Sequence, residues 1–256
     1  MAELPVVLSI PHGGFHTPEE LKGRVFLEQD QIFEDGDAST IDIYNLQGKI
    51  VDVIYTEIAR VFVDLNRAPD DRPPHNPDGV VKSVTCYEVP VYRKGKELNE
   101  QLIDTLLGKY YEPYHEKIQK AVQQTGIELA FDCHSMAETP PPISPDYGKY
   151  RPSICLGNVQ GNSCSDEVTK KLAHCFREAF GLDPSEVEIN RPFSGGYITR
   201  TYGQNPVPWI QVEMNRKLYL NHPWFDEQSL SVKQERLREL NKMFESALTM
   251  FFRKRL

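Results

Sequence analysis

The sequence has few cysteines and no long apolar run, and both shortages restrict the class of protein. Its five cysteines are odd in number and form no C-x-x-C pair. This argues against a disulfide framework and against a zinc site made of cysteines alone. No segment approaches the roughly eighteen apolar residues of a membrane helix. The N-terminus lacks a basic leader with a long apolar stretch, so no signal peptide is predicted. We expect a protein of the reducing cytoplasm, without membrane association.

An excess of positive charge is also absent. The chain has 29 lysines and arginines against 37 aspartates and glutamates, a net charge of −8. Without a basic stripe, nucleic acid is not an expected partner, although a few converging arginines still suffice to bind a small molecule with carboxylate groups. The length of 256 residues, 39% of them hydrophobic, predicts one domain over residues 1–256 with one sizeable core. The oligomeric state is left open.

Short apolar runs alternate with longer amphipathic segments. Strands are predicted at residues 5–10, 51–55, 61–65, 127–133, 155–159 and 207–214. Helices are predicted at residues 99–124 with a bend at Pro113, at 166–180 and at 229–252. The alternation predicts an α/β three-layer sandwich with a mixed, largely parallel central sheet.

Polar residues of catalytic type follow four of the predicted strands. They are His12, Asn66 with Arg67, His134 and Glu213. In largely parallel sheets, ligands bind at the carboxyl ends of the strands. We therefore expect these side chains to converge. Their shared position at strand ends is stronger evidence for a functional site than any single motif.

Two histidines are candidate metal ligands. His12 precedes Gly13 and Gly14, which let the backbone approach a ligand closely; it could also be a base or cap a loop. Strand alternation places Asp132 and His134 on one face, where Asp132 can orient the imidazole. Cys133, on the other face, is expected in the core rather than as a nucleophile. Each histidine considered alone is also compatible with a purely structural role.

Asn66, Arg67 and Glu213 each have a functional and a structural interpretation. Asn66 and Arg67 suit a carboxylate clamp, but Arg67 could instead form an ion pair with a neighbouring aspartate. Glu213 lies in an apolar run, where an unpaired charge is costly. A metal with its water would stabilise it there, and so would a salt bridge to Arg216.

A two-histidine zinc site needs a third protein ligand, usually a carboxylate, with water in the remaining position. The acidic stretch 34–37 is the nearest source, and Glu34, Asp35 and Asp37 are all candidates. Such a stretch can equally be a solvated turn. Arg200 closes a glycine-led segment at 195–200 that we expect to be extended, and it is either a second carboxylate anchor or a surface residue.

Five motifs in this order resemble the N-formylglutamate amidohydrolase (N-formylglutamate deformylase) family. They are Ser9-Ile10-Pro11-His12-Gly13-Gly14, Asp64-Leu65-Asn66-Arg67, Asp132-Cys133-His134-Ser135, Gly195-Gly196-Tyr197-Ile198-Thr199-Arg200 and Gln211-Val212-Glu213. The resemblance spans residues 6–220. Because that family is similar to zinc carboxypeptidases and aspartoacylases, the resemblance implies a carboxypeptidase-like (phosphorylase/hydrolase-like) fold.

The resemblance implies one Zn²⁺ per chain, bound by His12 and His134. Carboxypeptidases take a further ligand from a His-x-x-Glu motif, but the third residue after His12 is not acidic here. The formylglutamate family has instead an acidic motif some two dozen residues later, where this chain has residues 35–37. We therefore choose Asp37 as the third ligand, with Asp35 and Glu34 as alternatives.

The resemblance also implies a reaction. It is the hydrolysis of the amide bond of N-formyl-L-glutamate, or of a similar small N-acyl acidic amino acid, to formate or another acid and the amino acid, a step of histidine degradation. Glu213 would be the general base and Arg67 would stabilise the oxyanion. Asn66, Arg67, Arg200 and Tyr197 would bind the substrate.

The proline-rich stretch after Arg67, up to residue 82, departs from the family pattern and leaves the acyl group open. One alternative keeps the enzyme class, as a carboxypeptidase-like or other N-acyl amino acid hydrolase. Another belongs to a different class, a catalytically silent carboxylate-binding protein.

Overall fold

A six-stranded sheet forms the centre of the computed structural model, which describes residues 3–142 and 144–253. The strands are β1 (Leu4–Ile10), β2 (Ile50–Tyr55), β3 (Leu129–Met136), β4 (Ile154–Gly157), β5 (Val187–Ile189) and β6 (Trp209–Asn215). They are ordered β2-β1-β3-β6-β4-β5 across the sheet. Every neighbouring pair is parallel except β4 with β6. The predicted mixed, largely parallel sheet is confirmed.

Helices cover both faces of this sheet. They are α1 (Gln29–Asp35), α2 (Thr40–Tyr44), α3 (Glu100–Leu106), α4 (Glu112–Val122), α5 (Asp166–Phe180), α6 (Tyr197–Tyr202) and α7 (Gln234–Arg253). Apolar side chains of α2, α5 and α7 pack in one core, and those of α1, α3, α4 and α6 in the other. The predicted three-layer α/β architecture is therefore confirmed. Among the described helices, none is long and apolar enough to span a bilayer.

Strand alternation determines which face carries the polar residues. On β3, Phe131 and Cys133 point into the core with α5 and α7, while Ala130 points into the opposite core. Asp132 and His134 follow Ala130 on that second face, near the carboxyl end of the strand. On β6, Val212 and Met214 belong to the first core, which leaves Gln211 and Glu213 on the same face as His134. Polar side chains of adjacent parallel strands thus share one edge of the sheet.

The predicted strand at residues 61–65 is wrong. These residues form turns and irregular backbone, in which Phe62 N–H donates to Ala59 O and Asp64 N–H donates to Val80 O. Val61, Phe62, Val63 and Leu65 are nevertheless buried in the second core. An apolar, β-branched run indicates burial as well as strand, and here burial alone applies.

The predicted segments at 99–124, 195–200 and 229–252 are only partly correct. The helix over 99–124 changes register through a π-turn at Leu107–Tyr111, where Glu112 N–H donates to Leu107 O. A wider turn suits the approach to Pro113, because proline crowds the carbonyl four residues earlier. The segment expected to be extended at 195–200 contains α6. The last helix begins at Gln234, since Ser231–Val232 pairs with Phe225–Asp226 in a short hairpin.

Candidate active site

Three buried side chains converge at the carboxyl edge of the sheet. His12 follows β1, His134 lies on β3, and Asp37 follows α1. The Nδ1 atoms of His12 and His134 are 3.1 Å apart, and Asp37 Oδ2 lies 3.1 Å from His134 Nδ1 and 3.5 Å from His12 Nδ1. Donors bound at about 2.0–2.1 Å to a tetrahedral Zn²⁺ lie about 3.3 Å apart. The spacing of the three atoms suits a single metal ion.

The far nitrogens of both imidazoles face carboxylates. His12 Nε2 is 2.7 Å from Asp64 Oδ1, and His134 Nε2 is 3.1 Å from Asp132 Oδ1. A carboxylate at Nε2 favours the tautomer with its proton there, which leaves the Nδ1 lone pair of His12 free, since His12 Nε2 hydrogen-bonds Asp64. That lone pair and the Asp37 carboxylate oxygen, 3.5 Å away, would then repel one another. A cation between them removes the repulsion, so these residues fit the implied metal.

The electrostatics of the cluster follow from burial and from these pairs. Burial opposes charge on His134, but the carboxylates around it, Asp132 first and then Asp37 and Glu213, outweigh burial and raise the pKa of His134 well above its usual range. Burial opposes charge on Asp37 too, and by itself would raise the pKa of this carboxyl group. The hydrogen bonds and charges of His12 and His134 outweigh burial and hold the pKa of Asp37 well below its usual value. In a metal-free chain a proton on His134 provides positive charge beside Asp37.

Local backbone contacts place Asp37, rather than its acidic neighbours, at the histidines. Asp37 N–H donates to His12 O (3.0 Å), and Asp37 Oδ2 accepts from Ser135 N–H (3.2 Å). Asp35 instead points to the fully buried Lys82, with Oδ2 2.9 Å from Nζ. Glu34 is exposed. Of the three candidates for the third ligand, the structure brings only Asp37 to the cluster.

Glu213 lies beside this cluster on β6, and the parallel register pairs it with His134 on β3. Its Oε1 accepts from Gln211 Nε2 (2.7 Å), so the predicted alternative of a salt bridge to Arg216 does not occur. Burial, together with the charge of Asp37, raises the pKa of Glu213 to about 7, against the lowering effect of His134 and His12. A carboxylate with this pKa can take up and release a proton near neutral pH.

A cavity of about 590 Å³ opens over the cluster and Glu213, and its wall is rich in arginine. The arginines are Arg60, Arg67, Arg151, Arg200 and Arg216. Arg151 is occupied within the protein, since all three of its guanidinium nitrogens donate to Ala137, Ser144 or Asp146. Arg216 is occupied in the same way by residues 34–37 and Ser135. Arg60, Arg67 and Arg200 also donate within the protein, but Arg67 and Arg200 are the more exposed arginines of this wall.

The residues predicted to bind substrate are placed unequally. Arg67 lines the cavity, 35% exposed, while its Nη2 donates to Asp78 (2.8 Å), so a structural ion pair and a position in the cavity coexist. Arg200 is exposed at the rim. Asn66 Nδ2 lies 3.0 Å from His134 Nε2, and Asn66 Oδ1 accepts from Ile198 N–H (2.7 Å). Asn66 thus contacts a histidine of the cluster.

Tyr197 does not line the cavity in the described part of the chain. Its ring packs against His115, with centroids 5.8 Å apart. The reason is the turn of α6: the helix directs Ile198 and Tyr202 into the second core and draws Tyr197 towards the same side.

Several contributors to the site were not assigned a role from the sequence. Arg60 Nε donates to Asp64 Oδ2 (2.9 Å), Gln211 holds Glu213, and Arg216 contacts Asp37. Two of these contacts have a local signal: Arg60 and Asp64 are four residues apart, and Gln211 and Glu213 are two apart on one face of β6. The contact of Arg216 with Asp37 has none, because it depends on how the end of β6 packs against residues 34–37.

A three-layer α/β fold with a donor set that suits a metal, beside a glutamate that suits proton transfer, is the arrangement expected of a hydrolytic enzyme. Comparison with known proteins narrows the class. The family model for N-formylglutamate amidohydrolase matches residues 4–220, and the chain belongs to this family. The resemblance predicted from the five motifs is therefore confirmed.

Curated relatives agree with this assignment. The N-formylglutamate deformylase of Pseudomonas putida is 26% identical over 226 residues, which cover 85% of this chain and 82% of the relative. That of Pseudomonas aeruginosa is 28% identical over 228 residues, covering 85% and 83%. Both alignments span most of each protein.

Solved structures show the same fold. The N-formylglutamate amidohydrolase from Ralstonia eutropha JMP134 has a TM-score of 0.82 at 19% identity, over 99% of this chain and 95% of that one. A gene product of Agrobacterium tumefaciens has a TM-score of 0.69 at 14% identity, over 100% and 92%. At these identities the likeness supports the architecture.

Proposed function

We propose that the chain is a zinc-dependent hydrolase of the amide bond in N-formyl-L-glutamate, releasing formate and glutamate. The observation that carries the proposal is the buried group His12, Asp37 and His134 beside Glu213, within a chain of this family. Family membership supports the reaction class. The side-chain geometry supports the metal and the division of roles.

His12 Nδ1, His134 Nδ1 and Asp37 Oδ2 would hold the metal. When bound, Zn²⁺ supplies two effects that amide hydrolysis needs, a lowered pKa of water and polarisation of the carbonyl group. Asp64 and Asp132 lie behind the two imidazoles, with their Oδ1 atoms 2.7 and 3.1 Å from the Nε2 atoms. Carboxylates in this position orient the ring and raise its basicity.

Glu213 would move the protons. Because Gln211 occupies Oε1, Oε2 is the oxygen that accepts the proton of the attacking water. A pKa of about 7 lets the same carboxyl group then donate this proton to the departing amine. Val212 and Met214, which flank Glu213 on β6, face the opposite core.

Arg67 and Arg200 would bind the two carboxylates of the substrate. Guanidinium groups match carboxylate geometry, and each of these arginines contributes to the cavity wall. Arg67 lies on the segment that also carries Asp64 and Asn66, close to the metal cluster. It is therefore the better placed of the two to stabilise the oxyanion of the tetrahedral intermediate.

The test is a Glu213→Gln variant assayed beside the parent protein. Purified parent protein should hold about one zinc per chain, and the variant should keep the metal while hydrolysis of N-formylglutamate falls by about 10²–10⁴-fold. Glu245→Gln is the matched control, because Glu245 pairs with Lys49 away from the cavity. Full activity of a metal-free preparation would overturn the proposal.

A substrate panel separates this function from its alternatives. N-formyl-, N-acetyl- and peptidyl-glutamate are compared at equal concentration. Preference for the formyl compound supports the proposal, and preference for another compound moves the chain to a different hydrolase. Thermal stabilisation by all three compounds without turnover would indicate a carboxylate-binding protein instead.

A further inference from the structure

Arg216 stands directly after β6, and its guanidinium ties together two segments of the site. Nε donates to Ser135 Oγ (3.0 Å), and Nη1 donates to Glu34 O (3.1 Å). Nη2 donates to Gly36 O and to Asp37 Oδ1, the latter at 3.2 Å. The side chain is only 12% exposed. Arg216 is thus hydrogen-bonded both to the end of α1 with the residues after it and to the end of β3.

The two oxygens of Asp37 face in different directions. Oδ2 points to the Nδ1 atoms of His134 and His12 and accepts from Ser135 N–H. Oδ1 points to Arg216. A carboxylate can bind a metal through one oxygen or through both. A charge-assisted hydrogen bond to one oxygen competes with the second mode.

We propose that Arg216 is a positioning residue that restricts Asp37 to metal ligation through Oδ2 alone. The inference rests on the proposed function and deepens it. Catalytic zinc sites combine three protein donors with one open position. If Asp37 Oδ1 turned towards the histidine cluster, it would occupy that position. Arg216 keeps the position open by holding Oδ1 at hydrogen-bond distance.

The experiment uses Co²⁺, whose visible absorption distinguishes four-coordinate from five-coordinate sites by its intensity. Metal-free parent protein and an Arg216→Met variant are titrated with Co²⁺ without any substrate. The parent protein should develop intense bands at one cobalt per chain. The variant should bind cobalt with clearly weaker bands, as Asp37 adds its second oxygen. Unchanged bands in a folded, cobalt-loaded variant would overturn the inference.

Two matched variants serve as controls. One tests the loss of an arginine elsewhere in the protein, and the other tests whether the effect of Arg216 requires the second oxygen of Asp37. Arg236→Met removes a partly buried arginine that contacts Leu218 O and Glu239, so its cobalt spectrum should equal that of the parent. Asn ligates through one oxygen only, so adding Arg216→Met to an Asp37→Asn background should leave that background's spectrum unchanged. A further loss of intensity in the double variant contradicts the role assigned to Arg216.

Arg216→Lys keeps the test decisive if the methionine variant does not fold. Lysine retains a cation for Asp37 Oδ1 but cannot form the forked bonds to the Glu34 and Gly36 carbonyls. We expect intense, parent-like bands, and weak bands would refute the inference. Failure of the proposed function is distinguishable, because there the parent protein itself would show no one-to-one cobalt binding or no turnover.

Discussion

Replacing Glu213 by glutamine should change how the stability of the metal-free protein depends on pH. Glu213 is 6% exposed, and Gln211 Nε2 donates to its Oε1. Glutamine has the same shape and can keep this hydrogen bond, but it cannot ionise. The difference in free energy of unfolding between the two proteins therefore reports on the ionisation of this one carboxyl group.

The sign follows from the direction of the pKa shift. Burial raises the pKa of Glu213 from its ordinary value of 4.5 to about 7, so the folded state binds more protons than the unfolded state between these values. The stability of the parent protein relative to Glu213→Gln therefore falls as pH rises through this window and levels off above it. Across this window the difference in free energy of unfolding between the two proteins should change by about 3 kcal/mol, because each unit of pKa shift corresponds to about 1.4 kcal/mol.

Urea unfolding of both proteins at pH values between about 4 and 8, after chelation of metal, measures the effect. The two curves should be closest at pH 4 and should diverge towards pH 7, with glutamine the more stable. Adding Zn²⁺ should reduce the divergence, because a nearby cation favours the ionised carboxylate. A difference that is independent of pH, or that grows as pH falls, would refute the assigned pKa shift.

Two further predictions concern carboxylates around the cluster. Asp64→Asn removes the negative charge that lies 2.7 Å from His12 Nε2. The affinity for Zn²⁺, measured by titration against a competing chelator, should therefore fall by about 10–100-fold. Asp104→Asn is the control, because Asp104 is exposed and pairs with Arg72, so this variant should keep the parent affinity. Lys82→Met removes a buried cation whose Nζ lies 2.9 Å from Asp35 and 2.7 Å from Asp78. Asp78 keeps its bond to Arg67, but Asp35 loses its ion pair, so urea unfolding should show a loss of about 3–5 kcal/mol. A loss below about 1 kcal/mol would mean that water reaches these carboxylates.

The architecture was predictable where hydrophobic pattern and strand ends agree. The runs before His12, through His134 and through Glu213 form β1, β3 and β6, and their parallel pairing brings these residues to one edge. The apolar run at 61–65 shows the limit. It is buried like a strand, but the chain turns at Ala59, and a local pattern cannot distinguish a buried loop from a buried strand.

The sequence by itself determined which residue types were available at the site and on which face they emerge. Alternation along β3 separates His134 from Cys133, and it does so whatever the rest of the chain does. The ordered motifs then gave the family. These features depend on residues that are close together along the chain.

Only the tertiary structure decided which acidic residue joins the histidines and which acidic residue Arg216 meets. Asp35 and Asp37 are two residues apart, yet one faces Lys82 and the other His134. Arg216 pairs with Asp37 rather than with Glu213, three residues before it. These choices depend on contacts between segments up to 182 residues apart, where packing, and not local preference, determines which charge meets which.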